Sequence, residues 1–228
     1  MIARAAFFLT CLASLPALAS QDLDRQAAAH IARLVISDPG DPGHVAIRDP
    51  DIVESKEPEL GNRIASWISG GDNHNNDTTD ASVAGHDLDR ILESRNVHLG
   101  ADLRAAVANA LTADGYRVTP EPSYDTDASL NLTLRRIRYN GVPFHERVTA
   151  EIVVDANLVD LNSHAVLYSR TYMVSDTEHE IGDEAVAPDP AYVFAGYNDV
   201  VADPERAVAG LRANFALIAK AIGRDLAR

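Results

Sequence analysis

DPERAVAGLRANFALIAKAIGRDLAR, residues 203–228, is the segment on which the predicted architecture rests. Its apolar residues recur three or four positions apart, which is the spacing of one helix face. They are Val208, Leu211, Phe215, Ile218, Ile222 and Leu226. Asp203 suits the N-cap, and Pro204 suits the first helical position. Because Gly210 and Gly223 weaken this helix, we expect it to be stable only when it packs against an apolar surface.

Three upstream segments supply such a surface. Leu130, Leu132 and Leu134 alternate with polar residues, which is typical of a half-buried strand. The alternation slips at 135–136, and this slip predicts a β-bulge. A second alternation covers 148–158. It leads through a turn into a third strand at 166–174, so the pattern predicts an antiparallel hairpin.

A second helix is predicted upstream of the strands. Leu103, Val107 and Leu111 lie at helical spacing, and Gly115 follows where a helix would end on a left-handed residue. A short strand over 116–118 comes next. Each amphipathic face must be covered, so we predict an α+β fold. An antiparallel sheet of about four strands carries two helices on one face, with a loop-rich N-terminal extension.

The N-terminal part of the chain has a less regular pattern. We divide the chain into an irregular segment over 20–97 and an α+β domain over 98–228. Within the first segment the pattern favours a short helix at 21–33, a buried strand at 34–36 and a loop over 39–50 that is rich in proline and glycine. Apolar residues are scarce across 70–87, which predicts a flexible loop.

The first 19 residues have the features of an export signal. Arg4 is followed by an apolar run over 5–15 and by an A-x-A cleavage site ending at Ala19. Cys11 raises lipidation as an alternative, although Thr10 fits a lipobox poorly. No later stretch is apolar for long enough to predict a transmembrane segment in the mature chain. We expect a periplasmic or secreted protein, with association with the outer membrane as an alternative.

Composition and motifs exclude several functions. The formal net charge is −14, which disfavours a nucleic-acid partner because phosphate binding needs clustered Lys and Arg. The sequence contains neither a G-x-S-x-G motif nor a glycine-rich phosphate loop. No cofactor and no catalytic residue is predicted. The question of enzyme activity stays open, with a non-enzymatic role favoured.

Two alternatives to a non-enzymatic role stay open. The first is a metal-dependent hydrolase in which His74, His86 and neighbouring acidic residues bind the ion. The acidic residues around these histidines lack the usual spacing of metal ligands, so solvated acidic loops are the favoured interpretation. The second is a periplasmic small-ligand binder, which would require an apolar pocket.

An aromatic connection lies between the third strand and the last helix. Tyr192, Phe194 and Tyr197 lie there among proline, glycine and asparagine residues. Aromatic side chains on a connecting loop are candidates for a partner-binding patch. The alternative is that they cover the end of the core, and that interpretation is favoured.

The order of elements over 98–228 resembles a group of small bacterial envelope proteins. The resemblance runs from the helix around 103–116, through the Ala128–Leu132 strand and the hairpin, to the final Arg224-Asp225-Leu226. This order is similar to that of the YajG-like and ABC-transport auxiliary lipoproteins and of LptE. The resemblance implies an accessory or assembly protein that works by contact with an envelope protein or a lipid-linked component. The missing lipobox and the 36–97 region depart from it.

Overall fold

The computed structural model describes residues 20–41, 45–48, 88–141, 147–176 and 184–227. Its seven strands form one sheet and are β1 (Arg33–Ile36), β2 (Ala46–Arg48), β3 (Arg117–Thr119), β4 (Ala128–Gly141), β5 (Val148–Asp160), β6 (Val166–Val174) and β7 (Glu184–Val186). The α-helices of this part of the chain are α1 (88–94), α2 (Leu99–Ala113), α3 (Tyr197–Ala202) and α4 (Pro204–Leu226). Single 3-10 turns form at Ala27–His30 and Pro190–Tyr192.

The sheet is mixed. Strands β4, β5 and β6 are antiparallel, as the hairpin pattern predicts. The spatial order is β3-β1-β4-β5-β6-β7, and the outer pairings of β1, β3 and β7 are parallel. Strand β2 also pairs in parallel with β4. It lies on the same edge of β4 as β1 but farther toward the C-terminal end of β4. The α+β class agrees with the prediction, and β1 contains the buried strand predicted at 34–36. An antiparallel sheet of about four strands is nevertheless too small, since β2 and β7 are too short to show an alternating pattern.

The predicted bulge in β4 is confirmed. The register of β4 against β5 shifts between Leu134 and Arg136. Leu134 pairs with Val154 before the shift, and Ile137 pairs with Ile152 after it. Both β4 residues are therefore directed to the core, where their exposed fractions are 7% and 1%. The extra residue at the bulge restores the phase that the sequence slip would otherwise have lost.

Helix α4 covers the core face of the sheet. Its apolar stripe is buried, with Leu211, Phe215, Ile218, Ile222 and Leu226 at 0% exposed and Val208 at 6%. The Asp203 carboxylate accepts a hydrogen bond from the Arg206 amide at 3.1 Å, which confirms the predicted N-cap. Helix α2 contributes Leu103, Val107 and Leu111 to the same core. It ends before Gly115, whose φ of +91° confirms the predicted left-handed end.

The N-terminal segment is part of the sheet. Strand β1 lies between β3 and β4, and the Asp127 carboxylate accepts hydrogen bonds from the amides of Ala32 and Arg33. The helix predicted over 21–33 is wrong except for the turn at Ala27–His30, because Gln21 pairs with β6. The loop predicted over 39–50 contains β2. In both places pairing with a distant strand overrides the local pattern, antiparallel for Gln21 with β6 and parallel for β2 with β4.

Several sequence predictions lie outside the described residues. They concern the export signal, Cys11 and the loop at 70–87. The division of the chain at residue 97 also stays a prediction. None of the helices that the structure describes combines the length and the apolarity that a membrane crossing requires.

Candidate functional site

The aromatic connection forms a strap, residues 189–197, that is fixed to the sheet through Phe194. The backbone of Phe194 exchanges two hydrogen bonds with Val148, at 2.7 and 2.9 Å. Its ring meets the Tyr139 ring edge-on at a centroid distance of 5.9 Å. Only 2% of Phe194 is exposed. The strap is therefore anchored in the core by Phe194 and cannot move at this point without exposing an aromatic side chain.

Helix α4 fastens the strap from the other side. The Arg206 guanidinium lies 4.8 Å from the centroid of the Phe194 ring and donates to the carbonyl oxygens of Ala191 and Val193. The Asn214 side chain, on a residue that is 2% exposed, accepts a hydrogen bond from the Asp189 amide at 3.2 Å. These contacts fix the strap backbone along the first three turns of α4.

The two tyrosines of the strap are half-buried. Tyr192 packs on Gly210, where an added Cβ would lie 2.8 Å from the Tyr192 Cβ. The Tyr197 hydroxyl accepts a hydrogen bond from the Gly141 amide at 2.9 Å. Each tyrosine is thus held by a contact with the fold and remains partly exposed to water.

The three predicted site residues lie together on the strap but in different environments. Phe194 would have to leave the core to reach a partner, and so any contact would fall on Tyr192 and Tyr197. Partner binding by this cluster stays a prediction. A fixed backbone and half-exposed aromatic rings are suited to it, since little conformational entropy is lost when such a surface binds.

A polar network that the sequence analysis missed joins α4 to β6. Asp225 Oδ2 accepts hydrogen bonds from the Tyr172 hydroxyl at 2.8 Å, the Tyr168 hydroxyl at 3.2 Å and Arg170 Nη1 at 2.7 Å. The two tyrosine hydroxyl oxygens also lie within hydrogen-bond distance of each other, and because each carries one proton, a hydroxyl that donates to the other does not donate to Asp225 at the same time. Arg224 Nη2 reaches Asp225 Oδ1 at 3.1 Å. We call these five residues the Asp225 network.

Two further segments of the chain are linked to the Asp225 network. Arg170 also pairs with Asp22, next to the backbone pairing of Gln21 with Ser169. Arg224 pairs with Glu184 of β7 at 2.6 Å. The network therefore joins the N-terminal segment, β6, β7 and the end of α4 at one point.

The protonation states in the Asp225 network follow from the groups that donate hydrogen bonds to the Asp225 carboxylate. Burial acts to raise the pKa of Asp225, but the hydrogen bonds from Tyr172 and Arg224 and the charge of Arg170 outweigh it, so the pKa lies below its ordinary value. Burial raises the pKa of both Tyr168 and Tyr172. At neutral pH the carboxylate is therefore ionised and accepts hydrogen bonds, and both tyrosines keep their hydroxyl protons, an arrangement that stabilises the fold.

A second charged group lies on the opposite face of the sheet. The Glu151 side chain is 2% exposed and contacts Arg136 Nη2 at 2.6 Å and Arg138 Nη2 at 2.7 Å. The Asn140 amide donates to the same carboxylate at 2.7 Å. Arg138 is the register partner of Glu151. These contacts neutralise a carboxylate that would be costly to bury without partners.

The residues proposed for a metal site cannot be placed. His74 and His86 lie outside the described residues. Within the described ranges, no three histidine, cysteine, aspartate or glutamate side chains are grouped so that they could hold a metal ion. The metal-dependent hydrolase stays an untested hypothesis.

Comparisons with known proteins identify distant structural neighbours. No family model matches the chain, and no curated protein matches its sequence. A Xanthomonas campestris protein of the DUF330 family is 12% identical, covers 85% of this chain and 82% of its own, and gives a TM-score of 0.42. A dodecameric PelC variant from Paraburkholderia phytofirmans is 16% identical, with coverages of 92% and 96% and a TM-score of 0.36.

A third neighbour is a lipoprotein from Neisseria meningitidis. It is 13% identical, with coverages of 78% and 96% and a TM-score of 0.28. At such identities and TM-scores these neighbours carry no argument about binding or assembly by this chain. The resemblance to the YajG-like, ABC-transport auxiliary and LptE proteins stays a prediction.

The contact of Tyr192 with Gly210 can be tested by substitution. Alanine in place of glycine inside a helix ordinarily stabilises it by roughly 0.5–1 kcal/mol. At Gly210 the added Cβ would collide with Tyr192, so Gly210→Ala should lower the free energy of unfolding measured with urea. Gly196→Ala, where no atom lies within 4 Å of the added Cβ, is the control. A stabilised Gly210→Ala protein would show that the strap does not press on α4.

Acidification tests the Asp225 network. The pKa of Asp225 is lower in the folded state than in the unfolded state, so its contribution is present above the unfolded value of about 4 and is lost as the pH falls through the folded value. Asp225→Asn should be less stable at pH 7. It should also lose less stability than the parent protein between pH 5 and pH 2.5 in urea titrations. The exposed Asp199→Asn substitution is the control, and parallel acid profiles of parent and Asp225→Asn would contradict the network's role.

Proposed function

We propose that this chain is an exported, non-enzymatic accessory protein of the cell envelope that works by binding a protein or a lipid-linked partner. The observation that carries the binding role is the strap, which holds Tyr192 and Tyr197 half-exposed on a backbone fixed by Phe194 and Arg206. Tyrosine is enriched among the residues that dominate binding energy at interfaces. A fixed strap reduces the ordering cost of association.

The start of the fold is compatible with export. The predicted cleavage follows Ala19, and Gln21 already pairs with Ser169 in β6. The Gln21 amide and carbonyl form hydrogen bonds of 2.7 and 3.0 Å with Ser169. Removal of the signal would therefore leave the whole sheet in the exported chain.

The experiment combines export with binding. The full chain is produced in a bacterial host, and the envelope fraction is subjected to N-terminal sequencing, with Ser20 expected as the first residue. The purified mature protein is then immobilised, and detergent-solubilised envelope from the cells that normally produce it is passed over it. A retained partner and a mature N-terminus at Ser20 are the expected results.

Substitution of Tyr192 tests whether the partner contacts the strap. Tyr192→Ala should weaken retention of the partner by about 30-fold, the equivalent of a hot-spot loss of about 2 kcal/mol. Tyr192→Phe, which keeps the ring, should retain most of the binding. Lys220→Ala, an exposed change farther along α4, is the matched control. Failure to retain any specific partner, or a chain that stays in the cytoplasm uncleaved, would contradict the proposal.

A further inference from the structure

Two arginines on the face of the sheet opposite α4 share one carboxylate. Arg136 and Arg138 lie two positions apart in β4, after the bulge, so their side chains point to the same face. Each contacts Glu151 through Nη2, at 2.6 Å to one carboxylate oxygen and at 2.7 Å to the other. The Glu151 side chain is 2% exposed, whereas the two arginine side chains are 34% and 13% exposed. We call these three residues, with Asn140, the Glu151 cluster.

The charges of the Glu151 cluster do not balance. Neighbouring arginines each have a carboxylate of their own, since Arg135 contacts Asp155 at 2.6 Å and Arg147 contacts Asp176 at 3.4 Å. Those two pairs are neutral. Among the residues that the structure describes, Glu151 is the one carboxylate in contact with the two arginines of the cluster, so one positive charge is left in excess. A partly buried charge without a counter-ion is costly, and an anion would offset this cost.

Three buried polar atoms of the cluster also lack a hydrogen-bond partner within the described part of the chain. They are Nε of Arg136, Nε of Arg138 and Oδ1 of Asn140. The Asn140 amide donates from Nδ2 to Glu151 at 2.7 Å, which fixes the orientation of this side chain. Buried polar groups in folded proteins nearly always have a partner, whether from the protein, from water or from an ion. Two of the three atoms are guanidinium donors, so the group that suits them is an acceptor.

The guanidinium groups of the cluster are suited to an oxyanion. A guanidinium has five N–H donors in a planar fork, and this fork can bind two oxygens of a carboxylate or a phosphate at once. Arg136 and Arg138 each use only Nη2 for Glu151, so each retains further donors. The more exposed Arg136 gives a ligand access from water. Because Arg138 is mostly buried, solvent screens its charge less than it would at an open surface.

We propose that Arg136 and Arg138 bind a small oxyanion, a carboxylate or a phosphate group, which neutralises their excess positive charge. Glu151 repels this ligand, so the ligand lies on the side of the two guanidinium groups that faces away from the Glu151 carboxylate. The site is on the opposite face of the sheet from α4 and uses no residue of the strap. It is therefore independent of the proposed function, and each proposal can fail without the other.

Titration of the purified protein with anions tests the site. Sodium phosphate, sodium acetate and sodium chloride are compared at equal ionic strength and pH 7, and both the Tm and the heat of binding are measured. We expect phosphate or acetate to raise the Tm to a plateau and chloride to leave it unchanged. Arg136→Gln should raise the Kd of the oxyanion by about tenfold or more, since it removes a charged donor. Arg135→Gln, which alters a matched pair, is the control and should change the Kd by less than about twofold.

Glu151→Gln separates ligand binding from a structural role of the cluster. This variant lacks the carboxylate that competes with the ligand for the two arginines. It should therefore be less stable than the parent protein without ligand but should bind the oxyanion about tenfold more tightly. The tighter binder of phosphate and acetate identifies the group that the site takes.

Three results would overturn the inference. The first is a Tm and a heat of binding that neither oxyanion changes more than chloride does. The second is a Kd that Arg136→Gln leaves unchanged, and the third is a Kd that Arg135→Gln raises as much as Arg136→Gln does.

Discussion

The burial of one face of α4 against the core face of β4–β6 is the contact on which the other features depend. The helix contains two glycines and would not persist by itself in water. Once it is packed, its first turns present Arg206, Gly210 and Asn214 to the strap, and its last turn presents Asp225 to β6. The strap tyrosines and the polar network are therefore positioned by the same apolar contact.

Charged residues in this acidic protein join separate elements of the fold. The Asp225 network joins four parts of the chain, and Glu151 is held between Arg136 and Arg138 on the other face of the sheet. Such pairs contribute little when they are exposed, and they are costly to break when they are buried. We interpret both groups as fixing the register of the elements that they join. The apolar core supplies the larger share of the stability.

Periodic elements could be predicted from the sequence, and short or long-range features could not. The stripe of α4, the β4 slip at Arg135–Arg136 and the left-handed Gly115 are local patterns with direct physical causes. The three-residue strand β2 carries no such pattern and forms by pairing with β4. Tyr168 and Asp225 are 57 positions apart, and only the packing of α4 brings them together.

The register of β4 on β5 could have revealed Arg138 beside Glu151, since cross-strand partners share a face. The aromatic residues of the strap were found from composition, but their separate environments required the structure.

Native-state hydrogen exchange tests the central contact most directly. If the packing of α4 on the sheet is what the structure depends on, the amides of 211–222 should exchange only through global unfolding. Their free energy of opening should then equal that of the central β5 amides at 150–156 and should depend equally on denaturant. Exchange of the α4 amides through a separate opening of lower free energy, with β5 still protected, would contradict the account.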